Sequence, residues 1–319
     1  MQSPYSPEEW NIFASSSSSG WSVNTSTPGH TDYGVVTFDG YSAIEPEYVF
    51  SADAPTMIAD RPFALTESLK HPRQARKFKL PGGRPVVDFA VAPEGFTEPY
   101  LQAGSDEVWQ VNTLDAKATK FAPGPADAAH LTYGGPTQTL FVSGAKQLVA
   151  LDRSGRRVGS VNLAHSLDAL AFDDRTGRLV GLSTAQHRVY YFSTDLKGLG
   201  SATIPAGLLS GRGRVSIAIA PSGALVIHRD GQAEVAVGSP AVASTSSGFR
   251  EVKLAGVAQP RGLSVDDRGH LFFSVRGRLV ELLANGRPVA GSVFDGMPAA
   301  GVVHVARNYS NAPAGVSFQ

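Results

Sequence analysis

Eight histidines, two aspartate pairs and a set of arginines placed just before apolar runs are the residues of this chain that could do chemistry. His130, His165, His228, His270 and His304 fall near the ends of short apolar runs, and His187 falls in a turn. A zinc-type centre needs several imidazoles converging at bonds of about 2.1 Å, and no pair here has the spacing of a helical site or an HExxH context. Ordinary hydrogen-bonding histidines are expected, and no metal centre. Asp173-Asp174 and Asp266-Asp267 lack the alternating oxygen ligands and closing Glu of a calcium loop. Aspartate bonding its own backbone in a type I turn is the expected role. Without a GxSxG elbow, Walker spacing or GxGxxG, no catalytic residue and no cofactor is assigned.

The arginines carry the one candidate ligand site. Arg84, Arg212, Arg214 and Arg261 each precede a run of strand type, and His165 and Arg229 fall near them in the same scheme. Guanidinium groups gathered at one mouth would hold a carboxylate, phosphate or acidic peptide through paired N–H donors. Solvated loop arginines are the alternative.

What must position these residues is a repeat. In RGLSVDDRGHLFFSVRGRLVELL, Leu263–Val265 and Leu271–Val275 read as strands joined by an Asp/Gly turn. Arg276-Gly277 turns the chain into a third strand at Leu279–Leu283. A landmark strand followed by a Gly/Pro/Ala loop recurs at Leu80, Phe121, Leu163, Ile204, Leu254 and Phe294, at intervals of 41, 42, 41, 50 and 40 residues. Four short strands per interval of this length describe the blade of a β-propeller. The expected fold is all-β: a six-bladed β-propeller closed by N- and C-terminal strands, with an extended N-terminal arm. The last blade is expected to combine Val302–Val305 and Gly315–Phe318 with Phe63–Thr66 and Lys77–Leu80, clasping the ring. The domains are then an arm over 1–55 and a propeller over 56–319.

Composition agrees. Gly (34) and Pro (21) are plentiful, which suits many tight turns. The chain has no cysteine, so disulfides, thiolate zinc sites and cysteine nucleophiles are excluded. A formal net charge of zero leaves no global basic footprint for nucleic acid. Nowhere do eighteen apolar residues run together, and no secretory signal is visible. The expectation is a soluble protein made in the cytoplasm, with no nucleic acid partner and no membrane span.

Charge is uneven along the chain. Residues 1–70 hold nine acidic side chains against Arg61 and Lys70, about −7 by formal count. The serine run Ser15–Ser19 reads alone as a flexible linker. Yet large aromatics punctuate the arm, among them Trp10, Phe13, Trp21, Tyr33 and Phe38, and such groups seek burial. These five are the expected anchors of the arm on a surface, its own or a neighbour's. A solvated acidic arm is the alternative.

PRGLSVDDRGHLFFSVRGRLVELLANGRPV (Pro260–Val289) resembles the NHL-repeat and gluconolactonase-like six-bladed propellers, and DALAFDDRTGRLVGLSTAQHRVYYFS (Asp168–Ser193) is similar. The likeness covers roughly residues 62–319 as a pattern. It implies either an interaction module or, on the gluconolactonase-like branch, a lactone hydrolase with a calcium-type ion in the central channel. That branch uses Glu and Asn/Asp on inner strands, whereas the asparagines here fall elsewhere. The leading expectation is a non-catalytic interaction or structural protein, meeting protein partners through its arm and propeller face. Such an arm would anchor it to a larger assembly, such as a virion or other multi-subunit particle. A metal-dependent lactonase- or lyase-like enzyme, and an anionic-ligand or glycan binder, are the alternatives.

Overall fold

Short runs of β-branched and aromatic residues, closed by Gly-, Pro- or Asp-bearing turns, form twenty-four strands among the described residues. The computed structural model describes residues 49–53, 56–60 and 75–305, except 82–83, 91–96, 113–116, 135–137, 240–247, 267, 277 and 296–301. Phe50–Ile58 and Lys77–Val305 make up one compact unit. The other, Met1–Val49, Ala59–Arg76 and Ala306–Gln319, falls almost wholly outside the described residues. The arm anchors Trp10, Phe13, Trp21, Tyr33 and Phe38 lie outside them as well.

Three strands come first: β1 (Val49–Asp53), β2 (Thr56–Asp60) and β3 (Ala75–Lys79). Blade I is β4 (Val86–Phe89), β5 (Thr97–Gln102), β6 (Glu107–Asn112) and β7 (Ala118–Pro123). Blade II is β8 (His130–Gly134), β9 (Thr139–Ser143), β10 (Gln147–Leu151) and β11 (Arg157–Asn162). Blade III is β12 (Ala169–Asp173), β13 (Arg178–Ser183), β14 (Arg188–Phe192) and β15 (Gly198–Thr203). Blade IV is β16 (Val215–Ile219), β17 (Leu225–Arg229), β18 (Glu234–Gly238) and β19 (Arg250–Lys253). Blade V is β20 (Arg261–Val265), β21 (Leu271–Val275), β22 (Arg278–Leu282) and β23 (Pro288–Asp295). A final strand, β24 (Val302–Val305), pairs with β1 in a sheet of order β24-β1-β2-β3.

The chain is thus an all-β propeller with almost no helix; a short 3₁₀ turn at Ala206–Leu209 interrupts the strands. No helix among the described residues is long and apolar enough to cross a membrane. Five blades are made of four consecutive strands; six blades were expected, the last of them shared between the two ends of the chain. The remaining sheet is a composite whose make-up also differs from expectation. It takes one strand from the C-terminal side and three from the N-terminal side, where two and two were expected. Phe63–Thr66 and Gly315–Phe318 lie outside the described residues, and the expected Lys77–Leu80 is met by β3. The physical reason is length: β1 and β2 have five residues each, too few to establish a strand period in the sequence.

First strands adjoin one another in the order β4, β8, β12, β16, β20, β24 and back to β4. They therefore surround the central channel. The fourth strands face outwards, as the exposed alternation of β11 shows. Apolar side chains fill the slabs between blades rather than one central core. Blades III and IV meet through Val180, Leu182, Ile217 and Ile227. Blades IV and V meet through Val226, Val235, Leu263 and Phe273. Each fully buried Leu, Val or Phe contributes about 1.5–3 kcal/mol, so every slab locks its two blades.

Candidate functional site

Because the first strands run the same way around the channel, their beginnings share one mouth with the ends of the second strands. Asp88 of β4, His130 at the start of β8, Arg214 just before β16, and Arg229 and Asp230 at the end of β17 all gather there. Arg214 Nη2 lies 3.1 Å from Asp88 Oδ1, and its Nη1 donates to the Val87 carbonyl. β4 is flanked by β24 and β8, and β16 by β12 and β20, so this ion pair crosses the channel instead of joining neighbours. Asp88 is 5% exposed. Its Oδ2 also accepts the Leu131 N–H at 3.0 Å and stands 3.6 Å from His130 Nδ1.

Next to this bridge, Asp230 Oδ1 accepts the Gly262 N–H at 2.9 Å. Burial holds its carboxyl above the usual range, while that hydrogen bond and then Arg214, Arg261 and Arg229 pull the other way. The expected arginine set is only partly assembled. Arg214, Arg229 and Arg261 share the field of Asp230, but Arg229 Nη1 is spent on the Gly213 carbonyl at 2.8 Å. Arg84 Nη1 donates to the Gly104 carbonyl at 2.9 Å. Arg212, Arg261 and His165 are exposed.

The histidines divide by burial. His228 is 1% exposed; its Nε2–H donates to the Gln232 carbonyl at 3.0 Å and its ring meets Phe273 edge-on. Burial pulls its pKa down to about 4, so the ring is neutral. Among the described residues, the group placed to act as metal ligands is Asp266, His270 and Glu281, with ligand atoms within 4.8 Å of one another.

That trio sits at the opposite end of blade V, where β20 turns into β21. Asp266 Oδ1 accepts the Arg268 and His270 N–H groups at 3.0 and 2.7 Å, the backbone-bonding turn that the Asp/Gly sequence implied. Its Oδ2 accepts Arg268 Nε at 2.8 Å. His270 Nδ1 lies 2.6 Å from Glu281 Oε1, and Arg268 Nη2 reaches Asp266 at 2.7 Å and Glu281 at 3.5 Å. A carboxylate-held imidazole orients as a general base does. A guanidinium, however, already supplies the positive charge that two buried carboxylates require. Glu281 is absent from the expected site residues; its one signal in the sequence is a charged side chain between Val280 and Leu282 in an otherwise apolar run.

The channel ion implied by the gluconolactonase-like resemblance does not fit these donors. Asp88 is committed to Arg214 and Leu131. Asp168 is committed to the Thr184 N–H and hydroxyl, at 2.7 and 2.8 Å.

No family model matches the chain, and no curated protein matches it. Solved structures do, at the level of fold. A protein of unknown function from Bacteroides caccae is 12% identical with a TM-score of 0.59, covering 83% of this chain and 100% of that one. A chain of the nidogen/laminin complex is 10% identical with a TM-score of 0.59, covering 82% of this chain and 98% of that one. Virginiamycin B lyase from Staphylococcus aureus is 12% identical with a TM-score of 0.52, covering 77% of this chain and 85% of that one. The class that these similarities define is the β-propeller.

Proposed function

We propose that the protein is a non-catalytic propeller of the NHL kind, a docking module anchored through its acidic, aromatic-rich arm to a larger assembly. The observation that carries this reading is the commitment of the channel carboxylates to the chain's own donors. Asp88 bonds to Arg214 and to a backbone N–H, and Asp168 bonds to Thr184. A channel crossed by such a bridge serves as a brace. The similarity to a chain of the nidogen/laminin complex supports a docking role, since that propeller is found in a protein–protein complex. A virion or other multi-subunit particle is the kind of assembly that the arm suits.

The test is truncation of residues 1–48, which spares β1. The truncated protein is expected to keep its far-ultraviolet circular dichroism and melting temperature while no longer co-sedimenting with particles from its source. Co-sedimentation unchanged by the truncation would defeat the anchoring idea.

A metal-dependent, lyase-like enzyme is the second reading, favoured by the Asp266, His270 and Glu281 group. Arg268 must leave before an ion could enter there. Stoichiometric zinc, manganese or calcium surviving dialysis would favour this reading over the first.

A further inference from the structure

Blades III and IV part at the end where their first strands finish, leaving a cleft of about 520 Å³. Its lining is mixed: Val180, Ile219, Leu225 and Tyr191 form an apolar part, while Arg175 and Ser222 belong to a polar part of similar extent. A volume of this order is typical of small-molecule sites.

The charge in the cleft is unbalanced. Asp173 is spent within its own turn: Oδ2 accepts the Thr176 hydroxyl at 2.5 Å and Oδ1 accepts the Arg175 N–H at 3.2 Å. Arg178 and Asp173 act on the Tyr191 hydroxyl with opposite signs and offset one another there. Burial pushes that hydroxyl up to about 12, so it stays protonated at neutral pH. The Arg175 guanidinium remains, with no hydrogen-bond or ion-pair partner among the described residues. It stands beside Gly223, where an added Cβ would come 2.2 Å from Nη2 and 2.8 Å from Cζ. Gly223 also has φ +82°, so a bare backbone at this position both makes the turn and beds the arginine.

We propose that this cleft binds a small organic carboxylate with a compact apolar or aromatic body, the carboxylate paired with Arg175 and the body against Val180, Ile219 and Leu225. A guanidinium suits the task because its planar donors engage both carboxylate oxygens at once. The apolar part of the lining adds affinity that a bare inorganic ion cannot collect. The site is independent of the arm and of the channel, and stands or falls apart from the docking role.

The experiment is calorimetric titration of the full chain with phenylacetate, with acetate and benzyl alcohol as the charge-only and body-only controls. Phenylacetate is expected to bind at least about tenfold more tightly than either control. Arg175→Gln, at an exposed position, is expected to weaken phenylacetate about tenfold while leaving the melting temperature unchanged. Gly223→Ala, which must displace the guanidinium, is expected to weaken it as well. Absence of phenylacetate binding, affinity equal to that of acetate, or affinity unaltered by Arg175→Gln would each overturn the proposal.

Discussion

His228 makes the protein sensitive to acid, and the size of the effect follows from its burial. In the folded chain its pKa is held near 4, against an ordinary value of 6.5. Protonation is thus favoured in the unfolded chain across the interval between these values. Stability is therefore full above about pH 6.5 and falls as the pH drops towards 4; below that both states are protonated and this contribution is exhausted. Integrating the difference in bound protons from pH 7 to pH 4.5 gives a loss of about 2 kcal/mol from this one ring. The assay is urea unfolding of the wild type and His228→Gln at both pH values. The variant should be weaker at pH 7 by about 1–2 kcal/mol, since it forfeits the ring contact with Phe273 at 4.9 Å. Its further loss on acidification should be smaller than that of the wild type by about 2 kcal/mol. Equal acid losses in the two proteins would refute the argument, because the proton uptake would then lie elsewhere.

Further expectations concern the brace, a turn and metals. Asp88→Asn leaves Arg214 facing a neutral amide across the channel. It should cost about 2–3 kcal/mol in denaturant unfolding, below the full cost for a sealed pair because 27% of the Arg214 side chain is exposed. Gly286 has φ +81°, and an added Cβ would lie 2.0 Å from the Lys253 carbonyl oxygen. Gly286→Ala should therefore lower stability by at least about 2 kcal/mol, read as a drop in melting temperature. Prolonged dialysis against a chelator should leave the melting temperature unchanged, since the channel carboxylates bond to protein donors; a fall of several degrees would contradict the assignment.

Local features of this architecture were legible in the sequence, and distant ones were not. Leu271–Val275 is a strand with the expected ends because its alternation is bounded by Gly269 on one side and by Arg276-Gly277 on the other. Asp266 and Asp173 bond their own turns, a matter settled within four residues of chain. Asp88 and Arg214 stand 126 positions apart, and no local pattern reports that two first strands face one another across a channel. The pairing of His270 with Glu281 was hidden for a related reason: it joins the start of β21 to β22, so it depends on hairpin register. Tyr48–Phe50 has strand character that overlaps β1, but five residues are too few to show a period or to reveal that β1 belongs to the closing sheet.

The composite sheet bears on how the protein is made. Translation delivers β1 to β3 early and β24 late, yet β24 pairs directly with β1. Throughout synthesis, one side of the nascent β1 keeps unpaired amides and carbonyls on offer to any other chain emerging nearby. Ribosome-bound chains halted before Val302 should thus be the most prone to coalesce, and the emergence of β24 the moment at which that hazard ends.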